Sequence, residues 1–211
     1  IEYAHRVWHP RGGCNAVVAA MARSCEGMGV EMRMGEPAQA ILFDGRRARG
    51  VRTARGELAA DAVVVNADFA HAARALIPDA LRRRWTDERI AAKAFSCSTF
   101  MLYLGLDRQV PGLAHHTICL SRDYGGNIRD IEEGRAPAEP SIYLQNASVT
   151  DPTLAPPGHS ALYVLVPVGN LSGGVDWPAI APAYREMVLD RVAAFAGMDI
   201  RPHVRAERMV T

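Results

Sequence analysis

The stretch AQAILFDGRRARGVRTARGELAADAVVVNAD, Ala38 to Asp68, decides how this chain is read. Ala38 to Phe43 is β-prone, and Asp44-Gly45 supplies a pair that tight hairpins favour, because glycine accepts the left-handed backbone of the turn. Ala48 to Thr53 reads as the returning strand, Arg55-Gly56 as a second turn, and Glu57 to Ala60 as a third short strand. After Asp61 the run Ala62-Val63-Val64-Val65 is apolar without alternation, which suits a strand buried on both faces. Asn66-Ala67-Asp68 ends that run and offers a cap to a helix beginning near Phe69. An antiparallel meander feeding a buried strand predicts an α/β fold of mixed α+β character. Such a meander is of the kind inserted over a nucleotide-binding parallel sheet, a hint that pattern alone gives.

Upstream, Val17, Met21, Ser24 and Met28 fall on one side of a helix predicted over Cys14 to Met28, which Gly29 would stop. Val30 to Met34 alternates and reads as a strand. Downstream, Arg82-Arg83-Arg84 with Trp85 and Glu88 reads as a solvated linker helix. Ser98 to Leu106 is a nine-residue β-prone segment, followed by shorter strands at Thr117 to Leu120 and Ser141 to Asn146 with a helix around Asn127 to Glu132 between them. Pro152, Pro156, Pro157 and Gly158 mark a loop. Leu162 to Val168 resumes a strand, with Pro167 expected at a sheet edge. The last helix is predicted from Pro178 to Phe195, with an apolar stripe of Ile180, Tyr184, Met187, Val188, Val192 and Phe195. His203 to Val210 begins another strand.

Composition excludes several classes. Twenty-four basic and 23 acidic side chains leave no imbalance that would point to nucleic acid. Apolar residues at 49% are enough for a core, so wholesale disorder is not expected. No apolar run approaches the ~18 residues needed to span a bilayer. Cys14, Cys25, Cys97 and Cys119 lack C-x-x-C spacing, so free thiols in a reducing cytosol are expected rather than a zinc site.

The search for catalytic residues gives little. His115 and His116 are adjacent, so on a strand they would point to opposite faces. His5 and His9 stand four apart, but no helix is expected before Pro10. Glu132-Glu133 read as a solvated helix face, and Asp107-Arg108 as solvation of a strand end. There is no G-x-S-x-G elbow and no G-x-G-x-x-G fingerprint in these residues. Arg11-Gly12-Gly13 ahead of a helix offers backbone N–H groups to an anion, though a ligand-free tight turn gives the same pattern. No metal site is expected.

Four segments do carry a resemblance: WHPRGG (Trp8 to Gly13), ADAVVVNAD (Ala60 to Asp68), LAHHTI (Leu113 to Ile118) and SVTDPTLAPPGHSALYVLVPV (Ser148 to Val168). They resemble bacterial-type phytoene desaturases and their carotenoid dehydrogenase relatives, from Val7 to Thr211. The last segment is the specific one; the Pro-x-Gly-Gly and Asn-Ala-Asp pieces are shared with wider flavin amine-oxidase-like enzymes. The resemblance implies FAD-dependent desaturation of a long polyene such as phytoene in carotenoid biosynthesis. It further implies that residues 1–75 are the middle portion of a Rossmann-like FAD-binding domain. Residues 76–211 would belong to a substrate domain built on a mixed β-sheet with flanking helices.

By position, the resemblance brings the backbone of Ala38 to the adenine, and Asn66, Ala67 and Asp68 to a strand end near the cofactor. Pro10, Gly12 and Gly13 match the turn leading into a helix. It assigns no catalytic residue. His115 or His116 would assist proton removal or make a structural hydrogen bond. The fingerprint loop of the family lies outside this sequence, so the chain alone is expected to be inactive and to bind FAD weakly or not at all. The partners implied are a hydrophobic polyene and, for the full-length protein, a peripheral contact with the bacterial inner membrane from the cytoplasmic side. No strongly basic amphipathic helix is found to anchor it. Two alternatives stay open: another flavin-dependent oxidoreductase or isomerase of the superfamily, and a non-catalytic hydrophobic-ligand-binding protein.

Overall fold

The structure, a computed structural model, describes residues 8–211. It groups into two compact units, Ser24–Ala94 and, separately, the chain up to Arg23 with Phe95–Thr211. The helix that starts at Phe69 groups with the meander in the smaller unit.

In the smaller unit, β1 (Ala40–Asp44), β2 (Arg47–Thr53) and β3 (Gly56–Ala59) form an antiparallel sheet in chain order. Asp44 pairs with Arg47, leaving Gly45-Arg46 as the turn, with Gly45 at φ 55°. Gly50 faces the Leu58 carbonyl so closely that no Cβ fits there. Ile41 and Leu42 are buried, as are Ala72 and Ala73 of helix α2 (Phe69–Leu76). Asp68 caps that helix as expected, accepting the His71 N–H at 2.8 Å.

Two expected strands are absent. Val30 to Arg33 has no regular structure, and Met34-Gly35 forms a turn. Ala62 to Val65 has no regular structure and no ladder partners among the described residues, and Val64 is 91% exposed. Strand formation needs a neighbour to take up the backbone groups, and none of the described residues does so. The solvated linker helix is also corrected: a helical turn at Asp79–Leu81 precedes the short helix α3 (Asp87–Ala91). Between them Arg82 is buried, its guanidinium 2.8 Å from Asp87.

The larger unit contains β4 (Ser98–Leu106), β5 (His116–Cys119), β6 (Ile142–Gln145), β7 (Ser160–Val168) and β8 (Val204–Val210). Their order is β5-β6-β7-β4-β8, and every pairing is antiparallel where a mixed sheet was expected. β7 is central rather than an edge; Pro167 lies beyond the last residue that β6 pairs, Leu165. Burial along β7 alternates strictly, which is the period of a sheet with one core face. Phe100, Leu102 and Leu104 of β4 and Leu162, Val164 and Val166 of β7 pack in one core with helix α5 (Trp177–Ala196).

Asp176 caps α5 through the Ala179 N–H, Pro178 stands in its first turn, and Gly197 at φ 70° ends it. Tyr184, Val188 and Val192 of the expected stripe are buried, but Phe195 is 45% exposed. The buried side is rotated toward Trp177, Ala181, Leu189 and Ala196. Helix α4 (Tyr124–Glu132) lies between β5 and β6 in sequence. Helix α1 (Gly13–Gly27) forms one residue earlier than expected and buries none of its side chains.

Candidate functional site

Period-two alternation leaves a second face on the five-stranded sheet. It carries Tyr103 of β4, Tyr163 of β7, Tyr143 of β6 and His116 of β5. Tyr103 and Tyr163 are direct cross-strand partners with ring centres 5.3 Å apart, and Tyr163 meets Tyr143 at 6.0 Å. The Tyr143 hydroxyl and His116 Nδ1 are 2.6 Å apart. His116 stacks on His115 at 4.2 Å, and His115 meets His9 edge-on at 4.9 Å. An aromatic row thus crosses the sheet. Beside it opens a concavity of about 530 Å³ bordered by Tyr103, Gly105, Gln145, Leu154, Ala161 and Tyr163. Burial pushes the phenols of Tyr143 and Tyr163 up, so both stay protonated at neutral pH.

The two histidines do not point apart. His115 stands just ahead of β5, where the ladder has not begun and strand alternation does not apply. Its Nδ1 lies 2.9 Å from Thr150 Oγ1, and its Nε2 is buried without a partner. Burial, then the neighbouring His116 and His9, pushes its pKa down. It is therefore a neutral imidazole at pH 7.

At one end of this face lies Asp151, which the sequence reading missed. Its side chain is 4% exposed and accepts hydrogen bonds from Gly12 N–H at 2.6 Å, Thr153 Oγ1 at 2.6 Å and Thr153 N–H at 3.0 Å. His9 Nε2 adds a contact at 3.3 Å. These bonds, the Thr153 hydroxyl first and the Gly12 N–H next, hold the carboxyl far below the usual range, so it is ionised. Gly12 and Gly13 have φ of 86° and 73°, and the Gly13 N–H donates to Pro10. The N–H groups expected to meet an external anion are thus taken within the chain: Gly12 by the Asp151 carboxylate, Gly13 by a carbonyl. The signal for Asp151 was its place before Pro152, where an acidic cap precedes proline in a helical turn.

The remaining residues predicted to meet the cofactor, Ala38 and Asn66 to Asp68, lie in the smaller unit. Ala38 is exposed and precedes β1, with the first cross-strand bond made by Gln39. Asn66, Ala67 and Asp68 are exposed between the valine run and α2. These residues fit a cofactor met through main-chain atoms, since their backbone is open rather than packed. Asp107 does more than solvate a strand end: it contacts His203 Nδ1 at 3.0 Å and pairs with Arg205. Glu132 and Glu133 are exposed on α4 and the residue after it, as expected. His5 and Val7 lie outside the described residues.

A model of the family described as flavin containing amine oxidoreductase matches residues 1–187. The chain is 42% identical to a 4,4'-diapophytoene desaturase (4,4'-diapolycopene-forming) of Methylomonas sp, over 100% of this chain and 42% of the relative. It is 43% identical to an all-trans-zeta-carotene desaturase of Myxococcus xanthus, over 100% of this chain and 41% of the relative. The chain therefore spans about two fifths of the length of these relatives. Among solved structures it resembles an oxidoreductase from Methanosarcina mazei, with TM-score 0.64 and 17% identity, over 95% of this chain and 42% of that one. That likeness supports the fold. The family match and the two relatives decide the lineage: the chain belongs to the flavin-containing amine oxidoreductase family.

Proposed function

We propose that the chain is the middle portion of an FAD-dependent desaturase that dehydrogenates a long polyene such as phytoene in carotenoid biosynthesis. The observation that carries this reading is the identity of 42–43% to two carotenoid desaturases over the whole of the chain. Flavin, when bound, would accept the hydride that leaves one of two adjacent carbons. The chain's own part is then to hold, orient and keep dry. The main chain of Ala38 would meet the adenine, and Asn66, Ala67 and Asp68 would border the cofactor. Gly12 and Gly13 would set the start of α1 under the control of Asp151.

The aromatic row and its concavity would supply an apolar wall for a flat conjugated chain. Tyr103, Tyr143 and Tyr163 offer uncharged ring faces, which suits a hydrocarbon, while Arg208, the cross-strand partner of Tyr103, and Glu207 also border the concavity. The second hydrogen leaves as a proton, to a base or to solvent. His115 or His116, at the end of the aromatic row, would take it. The substrate dissolves in bilayers, so the full-length protein would work from the cytoplasmic side as a peripheral protein of the inner membrane. No helix among the described residues is long and apolar enough to cross one.

A bacterial host that accumulates phytoene tests this reading. Expression of the full-length protein is expected to convert phytoene into a coloured, more conjugated polyene, and the variant Tyr163→Asp in the same protein to leave it colourless. Unchanged phytoene with the wild-type protein present and folded would refute the proposal.

A further inference from the structure

The smaller unit carries a basic and aromatic patch that the redox reading does not use. After the turn Asp79–Leu81 the chain runs Arg82-Arg83-Arg84-Trp85 toward α3, and Lys93 follows shortly after that helix. Arg82 is turned inward onto Asp87 at 2.8 Å and Asp79 at 3.2 Å, and Arg74 also reaches Asp87 at 3.4 Å. Those carboxylates are engaged. Arg83, Arg84, Arg89 and Lys93 are exposed and make no ion pair among the described residues; Glu88 is the one acid that stays free beside them.

The Arg84 guanidinium lies 5.1 Å and Lys93 Nζ 4.9 Å from the centre of the Trp85 ring. Phe69, 52% exposed, meets the same ring edge-on at 5.0 Å. Arg84, Trp85, Arg89, Ala92 and Lys93 border a concavity of about 340 Å³. Arg83 has φ 41°, the one positive value on a non-glycine residue among those described. That conformation is strained for a side chain bearing a Cβ. Cations gathered at one ring repel one another, and an anion placed among them relieves the repulsion.

We propose that this patch seats the protein on anionic phospholipid headgroups. The four unpaired cations would meet the phosphates, and Trp85 and Phe69 would lie at headgroup depth, where such rings are favoured. A single-stranded nucleic acid fits less well, since Trp85 already carries two cations and a phenyl edge where a base would have to stack. The patch deepens the membrane contact of the proposed function. Its test contains neither flavin nor polyene, so the two can fail separately.

Co-sedimentation of the 211-residue chain with vesicles decides it. Binding is expected to vesicles of equal parts phosphatidylcholine and phosphatidylglycerol, with little to phosphatidylcholine alone, and to weaken with salt. The triple variant Arg84→Gln, Arg89→Gln, Lys93→Gln should lower partitioning about a hundred-fold, roughly five-fold for each charge. All three side chains are exposed, and an unchanged circular dichroism spectrum confirms the fold. Arg46→Gln, Arg47→Gln, Arg108→Gln removes the same charge elsewhere and should leave most of the binding. Equal binding to neutral vesicles, or an equal loss in that control variant, overturns the proposal. So does displacement by inorganic phosphate at the headgroup concentration, or tighter binding of a single-stranded oligonucleotide through the same three residues.

Discussion

Replacing Leu102 with alanine and, separately, Tyr103 with leucine sets the two faces of β4 against each other. Leu102 is fully buried in the core that includes α5, while Tyr103 on the opposite face is 44% exposed and touches Tyr163. Leu102→Ala loses the transfer free energy of the deleted methyl groups and leaves a cavity that a β-strand pinned on both sides cannot close. Together these cost about 3–4 kcal/mol. Tyr103→Leu keeps an apolar side chain and loses the cross-strand ring contact and part of the ring's burial, about 0.5–1 kcal/mol. Each kcal/mol moves the melting temperature about 2–4 °C in a chain of this size. Thermal unfolding followed by circular dichroism should therefore show a drop of roughly 10 °C for Leu102→Ala and about 2–3 °C for Tyr103→Leu. Equal drops, or the reverse order, would refute the division into a core face and an open face.

Asp151 gives a pH signature. Its folded carboxyl lies below the ordinary value, so the stability it contributes is present above about pH 4 and is lost as pH falls toward the folded value. The melting difference between wild type and Asp151→Asn should therefore shrink on acidification from neutral pH; a difference constant with pH would contradict the bonding described. Thiol titration should find Cys14 and Cys97 reacting first, since both are exposed, and Cys119 protected until unfolding, its thiol buried and pushed up to about 11. Gly169→Ala would drive a Cβ into the backbone of Gly134, costing about 1–3 kcal/mol or more, which denaturant unfolding would register.

The elements that could be read from the sequence are those whose pattern is complete within one segment. β4 and β7 are β-prone runs of nine residues each, Asp44-Gly45 names its own turn, and Asp68 caps α2 from the adjacent position. Ala62 to Val65 shows the opposite case. A continuous valine run specifies apolar surroundings, but the strands that would pair with it have to come from elsewhere. His115 and His116 turned on a single residue, because alternation begins only where the ladder begins. The candidate site is mostly long-range. Tyr103, Tyr143 and Tyr163 come together through strand register, and Asp151 reaches Gly12 across 139 residues of chain. Ala38 and Asn66 to Asp68 were named through resemblance, and their exposure leaves them open for the role proposed.

An absorbance spectrum of the full-length protein, purified in detergent and then mixed with phytoene without oxygen, tests the desaturase assignment most directly. Bound flavin that bleaches as a conjugated polyene spectrum grows is the outcome expected. Flavin that phytoene leaves oxidised would move the assignment to another substrate, and a protein without flavin would contradict the oxidoreductase reading itself.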